Sequence, residues 1–102
     1  MANTFKNYTS ASVGTTPTTV YTVPASTTTV LVGLNLANTT TASVDVDVQL
    51  GSIYIVKGAP IPPGSALGVL DGKMIAETTE TIVVTSDTAS SVDVIISVLE
   101  QT

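Results

Sequence analysis

The residues best suited to chemistry in this chain are carboxylates. Asp45 and Asp47 stand two apart in Val44-Asp45-Val46-Asp47-Val48, a spacing that sets both on one face of a strand, about 7 Å apart. Such a pair could contribute hard oxygens to calcium. That ion takes about six to eight oxygens from a loop able to wrap it, and no Asp-x-Asp-x-Asp-Gly segment is present. The expected role of Asp45 and Asp47 is to keep an outer strand face solvated and unaggregated. Glu77 and Glu80 form a second pair, in principle the acid and base of a glycosidase. They fall in a Thr-rich turn, and the chain has no tryptophan to stack a sugar. Asp71 is accounted for by Asp71-Gly72, a tight-turn signal.

Composition closes the other routes to catalysis. With no histidine and no cysteine, Ser-His-Asp, Cys-His and zinc-hydrolase arrangements are excluded, and so is a disulfide framework. No catalytic residue, metal ligand or cofactor is assigned. Charged residues make up only 11% of the chain, against about 25% in ordinary soluble domains. Lys6, Lys57 and Lys73 face eight acids, for a net charge of -5, so the clustered cations that neutralise nucleic-acid phosphates are missing. The start, Met-Ala-Asn-Thr-Phe-Lys-Asn-Tyr, lacks a basic region followed by an apolar stretch. No segment approaches the roughly 18 continuous apolar residues of a membrane span. A soluble protein without a membrane or nucleic-acid partner is expected.

The elements that must position these residues are strands. Thr, Val and Ile dominate, the alternation has period two, and no helical spacing is sustained. In residues 29–37, Val30, Val32, Leu34 and Leu36 share the expected inner face, with Leu31, Gly33, Asn35 and Ala37 on the other. Residues 44–50 place Val44, Val46, Val48 and Leu50 inward. The two segments read as a hairpin with a long loop, and residues 81–85 and 91–99 read as a second one. Thr41-Ala42-Ser43-Val44-Asp45-Val46 is echoed by Thr88-Ala89-Ser90-Ser91-Val92-Asp93-Val94, which suggests comparable places for the two pairs. Residues 18–23 form a short strand fenced by Pro17 and Pro24, and residues 52–56 form another. The proline-rich block from Gly58 to Ser65 reads as a crossing loop, because proline cannot donate to a ladder. Residues 66–70 and 73–76 read as a hairpin across Asp71-Gly72. The expected fold is all-β, an antiparallel β-sandwich or small barrel of seven to nine short strands.

Two regions are expected to bear contacts. Residues 1–16 are an N-terminal strand or docking arm, and residues 17–102 are the sandwich domain. Phe5 and Tyr8 are two of only four aromatics and flank Lys6. Pro60, Ile61, Pro62 and Pro63 form a rigid segment, too short and without the basic flank of a polyproline ligand. It would present its shape at little entropic cost. Tyr54 completes the candidate interface. Leu31, Val56, Val83, Ile95 and Leu99 are apolar at positions that alternation points away from the core, which implies burial by another copy or a partner. A homo-oligomer is expected. Asn7-Tyr8-Thr9 and Asn38-Thr39-Thr40 match the glycosylation pattern, as chance allows in a threonine-rich chain.

Four segments carry a resemblance that spans nearly the whole chain. They are Ala2-Asn3-Thr4-Phe5-Lys6-Asn7, Thr19-Val20-Tyr21-Thr22-Val23-Pro24-Ala25, Ala59-Pro60-Ile61-Pro62-Pro63-Gly64-Ser65, and Ser91-Val92-Asp93-Val94-Ile95-Ile96-Ser97-Val98-Leu99-Glu100. In these the chain resembles short virion structural proteins of tailed bacteriophages, especially those of cyanophages and marine phages. The resemblance implies a β-sandwich made in the host cytoplasm that decorates the virion. It would be a capsid cement protein bound to the major capsid protein or other virion proteins, or alternatively a tail or fibre component involved in host attachment. It implies no catalytic residues. The pattern of the trimeric head-stabilising proteins of lambdoid phages is absent.

Overall fold

The computed structural model describes residues 3–70 and 73–102. Among them nine strands run in chain order: β1 Asn3–Val13, β2 Thr18–Thr22, β3 Thr28–Asn38, β4 Val44–Leu50, β5 Ile53–Ile61, β6 Ala66–Gly68, β7 Met74–Ala76, β8 Thr81–Ser86 and β9 Val92–Gln101. One sheet has the order β1-β9-β3, with β6 and β7 both on the far edge of β3. The other has the order β2-β8-β4-β5. Every pairing is antiparallel. Two separate sheets make this a sandwich, not a closed barrel.

The core follows from the alternation. Val44, Val46 and Val48 of β4, Ile82 and Val84 of β8, and Val92, Val94, Ile96 and Val98 of β9 are all buried. Each such side chain stabilises the fold by about 1.5–3 kcal/mol when fully removed from water. The β-branched shape suits a pleated surface packed on one side.

Both expected hairpins are absent. β3 lies in the first sheet and β4 in the second, while β8 lies in the second and β9 in the first. The chain therefore changes sheets at residues 39–43 and again at residues 87–91. β3 pairs with β9, and β4 pairs with β8. Period two marks which residues of a strand turn inward but not which strand lies beside it, so a crossing and a hairpin look alike in sequence. The echoed wording does mark equivalent places: both segments are crossings, side by side at one end. The Thr39 amide donates to the Ser91 carbonyl at 2.9 Å, and the Asp45 and Asp87 backbones are joined by the Asp87 amide donating to the Asp45 carbonyl at 3.0 Å.

Three further expectations change. The proline block is not wholly a loop, since β5 continues through Gly58, Ala59 and Pro60 to Ile61. Pro60 is tolerated because β5 is an edge strand with no neighbour to receive its missing N–H. Around Asp71-Gly72, which lies outside the described residues, β6 and β7 do not pair with each other. They run end to end against β3, opposite residues 35–37 and 29–31. The face assignment within β3 breaks at a bulge between Leu31 and Gly33. The extra residue, Val32, is pushed outward, so Leu31 and Leu34 both point into the core and Val30 points out.

Val46 is 1% exposed and Asp45, next to it, is on the solvent face. Val46→Asp should cost more than about 4 kcal/mol, most of the stability of a domain near the low end of the usual range of about 5–15 kcal/mol. Asp45→Asn should stay within about 0.5 kcal/mol. Urea melts followed by circular dichroism would separate the two outcomes.

Candidate contact surface

The outer faces of the two sheets differ in chemistry. On β4 and β8 the outward side chains are Asp45, Asp47, Gln49, Thr81, Val83 and Thr85, with Thr19 of β2 and Tyr54 of β5 extending one row. This face is polar and acidic. On the first sheet the register aligns Phe5 with Leu99, Leu99 with Val30, and Val30 with Ile75. The result is one apolar row across β1, β9, β3 and β7. Phe5 is 75% exposed and Ile75 52%. Val32, extruded by the bulge, and Ile95, further along the same face of β9, add exposed apolar surface. Adjacent side chains in such a row touch and form a continuous patch.

Between this row and Ile95 the face is low. Asn7, Ser97 and Gly33 are opposite one another across β1, β9 and β3, and the Ser97 hydroxyl is 2.6 Å from the Asn7 side-chain oxygen. A depression of about 180 Å³ opens here, lined by Phe5, Lys6, Asn7, Val32, Ser97 and Val98. On β1, β9 and β3 no carboxylate or ammonium lies on the outward face between the Phe5 and Ile95 levels; Lys6 turns the other way, toward Glu100.

The sequence-selected contact residues fall into two groups on opposite edges. Phe5, Lys6 and Tyr8 are on β1, at the edge stacked over β2. Phe5 points out, while Tyr8 is half-buried and turned inward. Tyr54, Pro60 and Ile61 are on β5, with Pro62 and Pro63 exposed just beyond it. Ile61 is fully buried against Val44, so it packs the core and offers no surface. Tyr54 is exposed, with the Lys57 ammonium 4.3 Å above its ring centre. Of the five apolar residues assigned to the far side, Leu31 is a core residue, Val56 faces Val48, and Val83, Ile95 and Leu99 do lie outward.

Four carboxylates prove to be backbone partners, while Asp45 and Glu77 enter these contacts through their own backbone amides. Asp47 accepts a 2.7 Å hydrogen bond from the Gly58 amide, holding a bulge where Gly58 has φ of +64°, a conformation that glycine adopts without strain. Asp93 accepts from the Ser12 amide at the β1 bulge, and Asp87 accepts from the Asp45 amide. Glu80 closes its own turn by accepting from the Glu77 amide at 2.7 Å. Among the described residues no three carboxylates gather to hold a metal.

One cluster was not anticipated. Glu100 is 6% exposed and receives hydroxyl hydrogen bonds from Tyr8 at 2.9 Å and Tyr21 at 2.7 Å. The Tyr21 oxygen also lies 2.8 Å from the Thr29 hydroxyl, the two rings are 4.9 Å apart, and the Lys6 ammonium is 3.8 Å from the second carboxylate oxygen. Tyr21 comes from the second sheet and the others from the first, so the cluster ties the sheets together. The signal was available in parity: Glu100 continues the inward series Val94, Ile96, Val98. Burial, and then the neighbouring Glu100, raise the pKa of Tyr8 above the usual phenol value. Burial raises that of Tyr21 further, with Glu100 adding to it against the Thr29 hydrogen bond.

Comparison with known proteins gives no match to a family model, a curated protein or a solved structure. No helix among the described residues is long and apolar enough to cross a membrane.

Two outcomes follow from this geometry. Asp47→Ala should lose about 1 kcal/mol through the orphaned Gly58 amide, measured by urea denaturation. For the phenols the folded state holds its protons more tightly. Their contribution to stability is complete below the ordinary phenol value of 10.0 and declines as pH rises above it. Melting temperature should therefore fall steeply from about pH 10 upward. Tyr21→Phe should be less stable at neutral pH by about 2 kcal/mol but show a shallower alkaline slope.

Proposed function

We propose that this chain is a phage capsid decoration, or cement, protein that binds the assembled shell and stabilises it by bridging neighbouring subunits. The observation that carries the reading is the uncharged apolar row Phe5–Leu99–Val30–Ile75 on the solvent side of a sheet. A small domain gains no stability by exposing it, and such a patch supports an interaction surface. The phage particle as the setting rests on the resemblance of the four segments quoted above. A ligand that binds only the assembled lattice stabilises that lattice by mass action, which needs contact surface and no catalytic group. Attachment to a host glycan, as a tail or fibre component, would need an open aromatic platform. Tyr54 is exposed, but the Lys57 ammonium occupies one face of its ring, and among the described residues no second aromatic ring lies beside it, which favours the decoration reading.

Purified chain added to assembled shells that lack it should bind in large, lattice-scale copy number and raise their thermal stability, while unassembled capsid protein should bind weakly. Phe5→Ser combined with Ile75→Ser should weaken shell binding about tenfold or more without changing the melt of the isolated chain. Occupancy of only a handful of copies per particle would sink the reading.

A further inference from the structure

We infer that the apolar face of the first sheet is covered by a second copy of this chain, in a two-fold, face-to-face dimer. The inference rests on the proposed reading of that face as a contact surface and names its occupant as a second copy, so that the dimer meets the shell through its other surfaces and loss of the dimer weakens shell binding by loss of bivalence. A two-fold interface must be self-complementary, each copy offering both the projection and the recess that receives it. This face carries both side by side. Phe5 projects at 75% exposure, and immediately beside it lies the depression of about 180 Å³ floored by Asn7 and Ser97. Gly33, next to Ser97, keeps it open: a Cβ there would meet only the Ser97 Cβ, at 3.8 Å, and otherwise point into free space. Rotation by half a turn lets each Phe5 enter the recess of the other copy.

Charge points to the same occupant. Each copy carries a net -5; Asp45, Asp47, Asp87, Glu77 and Glu80 lie on the other sheet, the crossings or the end turns, and Asp93, outward on β9, lies beyond Ile95 at the far end of the face, where it accepts from the Ser12 amide. Two copies approaching through the first sheet, between Phe5 and Ile95, bring no carboxylates of β1, β9 or β3 together; approach through the acidic sheet opposes like charges. Size is sufficient. The molecule is 45 Å long and 22 Å broad, so the whole face, the Asp93 end included, has a planar area on the order of 900 Å², against about 800 Å² per partner in a standard interface, and the stretch between Phe5 and Ile95 is its centre. Edge pairing through β1 is the rival geometry for two copies. It is disfavoured by Lys6 on that strand's inner side, a charge that a continuous sheet would have to accommodate.

Sedimentation equilibrium of the purified chain tests this away from any particle. The expected result is a dimer of the 10.4 kDa chain at about micromolar concentration. Phe5→Ser, and independently Gly33→Val, which fills the recess with a strand-favouring side chain, should each weaken dimerisation at least about tenfold. Thermal melts should confirm that both variants are folded, and Thr19→Ala on the opposite sheet should leave the dimer unchanged. A monomer at that concentration overturns the proposal. If such a monomer still loses shell binding on Phe5→Ser, a shell protein is the occupant and the decoration reading stands. A dimer insensitive to both variants also overturns it, in favour of edge pairing. A dimer sensitive to both that never binds shells supports the dimer and defeats the decoration reading instead.

Discussion

The packing of two aliphatic faces across one interior is the constraint on which the rest of this molecule depends. Each central strand contributes a row of Val, Ile or Leu with almost no exposure. Because the two rows that pack are on different sheets, the chain must pass repeatedly from one sheet to the other, and two of these crossings, residues 39–43 and 87–91, lie side by side. A crossing forfeits ladder hydrogen bonds just where the backbone is partly buried, and unpaired buried polar groups cost about 1–3 kcal/mol each. The molecule meets that cost with side chains. The two hydrogens of the Asn38 side-chain NH2 are shared among the carbonyls of Ala42, Ile61 and Pro62, and its side-chain oxygen accepts from the Thr40 amide. Ser86 and Ser91 join their hydroxyls at 2.6 Å, and Ser91 is also bonded to the Thr88 carbonyl.

The opposite end of the interior is closed by Glu100, Tyr8, Tyr21 and Thr29. An aliphatic core bounded at both ends by satisfied polar clusters has a defined register as well as a defined composition. Sliding β9 by two residues would preserve its Val and Ile pattern but would tear Glu100 from its two phenols. Among the described residues no buried side-chain nitrogen or oxygen lacks a hydrogen-bond partner. Polar interiors of this kind specify one arrangement when every member is paired.

The same constraint explains how the edges and faces divide their roles. β5 is interrupted by Pro60 and by bulges on either side of Val56, β2 is a five-residue strand, and the β3 edge is shared by two fragments. These devices discourage strand addition in a chain rich in β-formers and poor in charge. Of the exposed large apolar side chains, Phe5, Val32, Ile75 and Ile95 share the outer face of the first sheet, where the Leu31–Gly33 bulge adds Val32, while Ile53 and Tyr54 lie on the β5 edge of the second.

Much of this was legible in the residues themselves. Alternation at Val44, Val46 and Val48 and at Val92, Val94, Ile96 and Val98 determined an all-β chain and named most of its core, because strand side chains have a strict period of two. A chain without His or Cys lacks the imidazole and thiol of Ser-His-Asp, Cys-His and zinc-hydrolase chemistry, whatever its fold. The sequence alone did not decide which strands lie side by side, since the same alternation serves a hairpin and a crossing. It did not reveal the Val32 bulge, which exchanges the expected places of Val30 and Leu31, because one extra residue leaves the local composition unchanged. The row Phe5–Leu99–Val30–Ile75 joins residues from four strands far apart in the chain. Only tertiary register, set by the packing of the two sheets, could bring them into one surface.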